Sequence, residues 1–142
     1  MVANAQERVP QAPLHPLHAA LLAGTVPLFL GVLLSDWAYS ASYEIQWKNF
    51  ASWLLVGGLV MGGFALLWAA IEAFRARWRG RRLIYFLLLL AAWILGFADA
   101  LVHAKDAWAS MPDALILSAL TALLAIAATW LGFSTLRAGA AK

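Results

Sequence analysis

Four apolar runs, residues 17–38, 51–71, 83–102 and 114–136, divide the chain, and polar or charged residues gather in the gaps between them. Each run suits a helix crossing a hydrocarbon core of roughly 30 Å, which takes about 20 apolar residues. The pattern predicts an all-α integral membrane four-helix bundle. Pro16 opens the first run at a position where its missing N–H costs nothing. Pro27, in mid-run, frees the carbonyl of Ala23 and is expected to kink the helix. The second run holds Gly57, Gly58, Gly62 and Gly63, and Gly58 and Gly62 have the GxxxG spacing that lets another helix backbone approach. That neighbour is expected within the bundle rather than in a second copy. The third run passes without a breaker into Asp99, and the fourth starts after Met111-Pro112-Asp113, where Pro112 and Asp113 are natural helix-start residues. The two halves share a helix-pair layout but no residue repeat.

Around this domain, residues 15–137, the pattern places a flexible N-terminal tail at 1–14 and a C-terminal tail at 138–142. Ala38-Tyr39-Ser40 loosely resembles a signal cleavage site. The run before it, however, exceeds the usual ~7–15 apolar residues of a signal core and has only Arg8 ahead of it, so it reads as an uncleaved span.

Composition agrees with a membrane protein: of 142 residues, 64% are hydrophobic and 12% charged, against about 45–50% and about 25% in soluble domains. There is no cysteine, which removes disulfides, thiolate metal sites and redox thiols from consideration. Charge then sets an orientation. With alternating spans, eight of the ten basic residues (Arg8, Arg75, Arg77, Arg79, Arg81, Arg82, Arg137, Lys142) fall on one side, and Lys48 and Lys105 on the other. By the positive-inside rule the first side, with both termini, is cytoplasmic. The basic loop meets anionic lipid rather than nucleic acid. The outer side collects Asp36, Glu44, Asp99, Asp106 and Asp113. Trp37, Trp47, Trp53 and Trp108 gather near the outer boundary and Trp68, Trp78 and Trp130 near the inner one, as in an aromatic belt; Trp93 alone lies deep, where core packing is expected.

Two constellations could carry chemistry. Near the outer boundary Asp99, His103 and Asp106 lie at i, i+4 and i+7, one stripe of a continued third helix, and Asp36 ends the first helix at similar depth. Histidine with carboxylates could hold a metal ion or relay protons; acids at helix ends can equally reach headgroups or pair with Lys105 and backbone donors. A carboxylate below the interface costs on the order of 2.5–3.5 kcal/mol unless satisfied, so Asp99 needs a partner, with His103, Tyr39 and Tyr43 the nearest candidates. At the inner boundary His15, His18 and Glu72 form the second candidate cluster. There His15 also suits a helix-start residue, and Glu72 can pair with Arg75. Haem ligated by two histidines needs one on each of two helices at one depth, which His15, His18 and His103 do not offer within one chain.

Leu14-His15-Pro16-Leu17-His18-Ala19, Asp36 beside aromatics, Trp53-Leu54-Leu55-Val56-Gly57-Gly58-Leu59 and Val102-His103-Ala104-Lys105-Asp106-Ala107-Trp108 together resemble the bacterial membrane family called domain of unknown function 2231, over about residues 14–137. Where other members continue the opening His-Pro with a histidine and Phe-Pro, Thr25-Val26-Pro27 keeps only the proline, so a role for that histidine does not carry over. The resemblance implies a four-span protein of the bacterial inner membrane. It suggests a periplasmic quinoprotein dehydrogenase or cytochrome as partner, and it supplies no catalytic residue.

Two functions follow as expectations. One is an anchoring subunit whose acidic, tryptophan-rich outer face docks a periplasmic redox enzyme. The other is a metal-, haem- or proton-handling redox protein that uses Asp36, Asp99, His103 and Asp106, or His15, His18 and Glu72. A metal ion, haem and quinone stay open as cofactors, and a homo-oligomer stays open as assembly. A small transporter fits less well, because few charged residues lie deep enough to line a path. An enzyme acting alone is not expected, since no nucleophile with its base and no phosphate loop can be assembled.

Overall fold

The computed structural model describes residues 15–75, 80–105 and 107–140, without the side chains of 107, 108 and 135–140. The N-terminal tail, Arg77, Trp78, Arg79, Asp106 and Lys142 lie outside the described residues, as do the side chains of Trp108 and Arg137. Four helices carry the fold: α1 (Pro16–Ser42), α2 (Ile45–Arg75), α3 (Arg81–His103) and α4 (Asp113–Ala140), with a short 3₁₀ turn at Ala107–Ser110 before α4. All four are long and apolar enough to cross a membrane.

Local chemistry sets the ends. His15 has extended backbone geometry and its Nδ1 accepts the N–H of Leu17 at 3.3 Å, which makes it the N-cap of α1, with Pro16 in the first turn. At the other end Tyr43 adopts the left-handed conformation (φ 55°) and returns its N–H to the carbonyl of Tyr39 at 2.7 Å. Only Tyr43 and Glu44 separate α1 from α2. Such short links force antiparallel neighbours. α1 continues through Pro27, as membrane helices can where neighbours and local polar groups satisfy the freed carbonyl.

The helices form a ring in the order α1, α2, α3, α4, each packed on its two neighbours, so α1 and α3 face each other across the diagonal. Buried positions recur at alternating steps of three and four: 85, 89, 92, 96, 99 and 103 on α3, and 48, 51, 55, 58, 62, 65 and 69 on α2. This is the 3.5-residue seam of a coiled coil. The seam is made of small and polar residues, including Ala51, Gly58, Gly62, Ala65, Ala69 and Ala73 on α2 and Ala114, Ser118, Thr121, Ala125 and Ala128 on α4. Large apolar side chains such as Phe64, Phe74, Leu87 and Ile94 point outward. In lipid that distribution is favourable, because close approach rather than expulsion from water holds membrane helices together.

Phe29 fills the middle of the bundle. A Cβ at Gly58 would stand 2.7 Å from its ring, and one at Gly96 3.3 Å. At Gly62 a Cβ would meet Thr25 at 3.6 Å and Trp93 at 3.7 Å. The GxxxG face of α2 is therefore occupied by α1 and α3 of the same chain. Trp93 donates its indole N–H to the carbonyl of Leu59 at 3.0 Å and stacks on Phe97.

Candidate functional site

The seam that buries glycine and alanine along most of its length buries ionisable groups at both ends. On α3 it passes through Asp99 and His103, and on α1 through Asp36. Asp36 and Asp99 have no exposed surface, and His103 is 8% exposed. His103 Nε2 lies 2.9 Å from Asp36 Oδ1, a bridge across the bundle diagonal. His103 Nδ1 lies 3.0 Å from the backbone carbonyl oxygen of Asp99, one turn back. The Asp99 carboxylate is also close, with Oδ1 at 3.2 Å from Nδ1. Its direction does not make it a hydrogen-bond acceptor. Among the described residues no donor reaches Asp36 Oδ2 or either carboxylate oxygen of Asp99. Neither Tyr39 nor Tyr43 fills that role; the two pack edge-on against each other at 5.6 Å.

Proton positions follow from these partners. A carbonyl oxygen only accepts, so Nδ1 carries a hydrogen. The short Nε2–Oδ1 contact holds a second hydrogen, on either the ring or the carboxyl group. In both placements the His103–Asp36 pair is neutral as a unit, and the charge of the cluster equals that of Asp99. Lys48 closes this end: its side chain is 8% exposed, and Nζ donates to the carbonyl of Lys105 at 2.7 Å, just beyond α3. Beside it Ile45, Gln46, Asn49 and Ser52 line an open groove of about 400 Å³. Trp37, Trp47 and Trp53 stand exposed at the same end, where an interfacial belt would place them.

Five helical turns away, the other end has a different arrangement. His18 is fully buried, and its Nε2 meets the Tyr85 hydroxyl at 2.8 Å. His18 Nδ1 has no hydrogen-bond partner, and the nearest carboxylate oxygen, Glu72 Oε1, is 4.0 Å away. That oxygen accepts the indole N–H of Trp68 at 3.0 Å, and among the described residues Glu72 makes no ion pair with Arg75. The His15 ring stacks on the indole of Trp68, centroids 4.9 Å apart. His15, His18 and Glu72 thus neighbour one another without converging. Among the described residues the one set of three histidine or acidic side chains whose ligand atoms lie within 4.8 Å of one another is Asp36, Asp99 and His103.

Of the outer candidates, then, the structure gathers Asp36, Asp99 and His103, and Asp106 lies outside the described residues. Tyr85 is the partner of a buried histidine that the sequence did not announce. It stands eighteen residues before His103, as His18 stands eighteen before Asp36, so α1 and α3 meet twice in the same register. Eighteen residues are five turns of α-helix, about 27 Å. Within one chain no two helices bring histidines to one depth to hold a haem, because His15 and His18 share the start of α1 and His103 is at the opposite end of the bundle.

Residues 14–137 match a family model described as predicted membrane protein (DUF2231). Neither a curated protein nor a solved structure matches the chain.

Proposed function

Because the chain belongs to the DUF2231 family of predicted membrane proteins, and its described ionisable cluster is closed off inside the bundle, we propose that it handles protons at one membrane face, through Asp36, Asp99 and His103. One observation carries this: two carboxylates with no exposed surface share a buried site with an imidazole, and three carboxylate oxygens there have no hydrogen-bond donor among the described residues. A charge held in such a place is costly. The cluster is neutral when it holds two protons beyond the Nδ1–H hydrogen's neutral-ring complement of one, that is, with Asp99 protonated and one further hydrogen shared between Nε2 and Oδ1. It becomes an anion when Asp99 releases its proton. Loading and release of one proton is the smallest chemical change available, and it alters the cluster by a full charge.

With both termini cytoplasmic, as the basic residues argue, this end faces the outside of a bacterial inner membrane. A docking role for a periplasmic dehydrogenase or cytochrome has less support. Asp36 and Asp99, two of the acids counted toward an acidic outer face, are interior, and the exposed indoles fit a lipid boundary without a partner.

Infrared difference spectroscopy of the full chain in lipid nanodiscs, stepped between about pH 5 and pH 9, tests the assignment. The expected result is a protonated carboxyl band that responds to the pH step and is absent in Asp99→Asn. A spectrum without such a band, or a band untouched by Asp99→Asn and Asp36→Asn, would refute it.

A further inference from the structure

The two buried histidines differ in what their second nitrogen faces. His103 has an oxygen acceptor on each side, so its Nδ1 keeps its hydrogen. His18 has a hydroxyl on one side, able to donate or accept, and nothing within hydrogen-bond distance on the other. Its Nε2 contact with Tyr85 is satisfied in either tautomer and in the doubly protonated ring. Nδ1 is therefore the atom at which His18 can gain or lose a hydrogen without breaking an existing bond.

Glu72 can reach it. Its side chain is 36% exposed, and Oε1 is 4.0 Å from Nδ1. A small rotation about the end of the glutamate side chain would close that gap, and what opposes it is the Trp68 indole bond to the same oxygen. We propose that His18 and Glu72 form a second proton-exchange site, at the opposite end of the bundle from Asp36, Asp99 and His103. In the step itself the O–H bond of the Glu72 carboxyl breaks and an N–H bond forms at His18 Nδ1. The products are a carboxylate and an imidazolium, with no change of oxidation state. Tyr85 then accepts from Nε2–H and positions the ring.

Three helices contribute to the surroundings, His15 on α1, Glu72 and the Trp68 indole on α2, and Tyr85 on α3; Arg75, Arg81 and Arg82 at this end are exposed, and the described side chains of α4 here include no titratable group. The layer around Phe29, packed against Gly58 and Gly96, separates this site from the other. Each exchanges with its own face, so the two are not ends of one hydrogen-bonded wire. His18 and Glu72 share no residue with the Asp36, Asp99 and His103 cluster, so either site can exchange protons without the other.

The chain has three histidines, which makes ¹⁵N-histidine NMR of the full protein in nanodiscs a direct test. Spectra are recorded from about pH 5 to pH 9 for the wild type, Glu72→Gln and Trp68→Phe. His18 Nδ1 is expected to pass between protonated and unprotonated forms within that range. Loss of a charge about 4 Å away should displace the midpoint by about one pH unit in Glu72→Gln. Trp68→Phe, which releases Oε1, should displace it in the opposite sense. The His103 signals should stay in place in both variants, which also reports an intact bundle. A His18 ring that keeps one protonation state throughout, or that keeps the wild-type midpoint in both variants, overturns the proposal.

Discussion

The imidazole of His103 and the carboxylate of Asp36 join α3 to α1 at 2.9 Å across the diagonal of the bundle. In mid-bundle the ring of Phe29 on α1 packs toward Gly96 on α3, and at the two ends polar pairs make the connection. The second bridge, His18 to Tyr85 at 2.8 Å, repeats the same register five turns away. Both bridges lie on the inward seam, where a polar group without a partner would be expensive. The bundle is thereby fixed against sliding of α1 along α3 at the two places where it buries histidine.

The Asp36–His103 bridge should therefore behave as a unit. Asp36→Ala leaves the Nε2 side of His103 without a partner and is expected to cost about 1–3 kcal/mol. His103→Ala should cost a similar amount, and the double variant clearly less than the sum, by at least about 0.5 kcal/mol. Reversible unfolding in mixed micelles reads all three. Strict additivity would mean that the two residues do not depend on each other.

Asp99 should respond in the opposite way from Asp36, although both carboxylates are fully buried beside the same ring. No donor reaches either of its carboxylate oxygens among the described residues, so Asp99→Asn removes an ionisable group without breaking a hydrogen bond. The expected change in stability is within about 0.5 kcal/mol of zero, against a clear loss for Asp36→Asn. Equal losses in the two variants, measured in the same unfolding assay, would place a strong partner on Asp99.

The bundle was legible in the sequence because the apolar runs are long and the gaps between them polar. Its inward faces were harder to read. Lipid-facing and core-facing positions are both apolar here, and the seam is marked by small residues such as Gly58, Gly62, Ala65 and Ala69 rather than by hydrophobicity. The outer site was visible in part, since depth and spacing already tied Asp99 to His103. The partner relation of Asp36 depended on which helices face each other, which no local pattern encodes. Tyr85 escaped notice as one more aromatic in an apolar run. Its signal was the spacing of eighteen residues to His103, matching that of His18 to Asp36. His15 and His18 looked like a pair because they are three residues apart. The helix-start role that the sequence also offered His15 is the one it fills, as the cap of α1, and Trp68 lies against both rings.

The Tyr85 hydroxyl should matter to the fold as well as to His18. Tyr85→Phe removes one buried hydrogen bond and leaves the ring volume in place, so the expected cost is about 0.5–1.5 kcal/mol, within the range of polar contacts between membrane helices. A thermal melt followed by circular dichroism measures it. A variant as stable as the wild type would show that His18 finds another partner when Tyr85 withdraws.

Metal content is expected to be independent of His103. Both ring nitrogens already face protein oxygens, at 2.9 and 3.0 Å, and an ion at Nε2 would have to displace the bridge to Asp36. Among the described residues three side chains converge there, whereas closed zinc sites are completed by about four ligands. Elemental mass spectrometry of purified wild type and His103→Ala should show no near-stoichiometric metal that disappears with the histidine. Iron, zinc, copper or manganese lost in the variant would convert the cluster into a metal centre.

Two adjacent glycines on α2 should separate packing inside the bundle from packing outside it. A Cβ on Gly58 would stand 2.7 Å from the Phe29 ring, held in turn against Gly96, so the ring has little room to withdraw. Gly58→Ala is expected to cost about 1–3 kcal/mol by overpacking. At Gly57 the same Cβ would meet the Leu28 methyls at 3.5 and 3.6 Å, an ordinary contact, and the gain in helix propensity, up to about 1 kcal/mol in water, should leave Gly57→Ala neutral or slightly stabilising. Phe29→Leu in the Gly58→Ala background should recover part of the loss, because it shortens the side chain that the new methyl strikes. If Gly58→Ala were instead neutral in the monomer yet changed the oligomeric state in detergent, measured by sedimentation, the GxxxG face would be a contact between copies of the chain rather than a seat for Phe29.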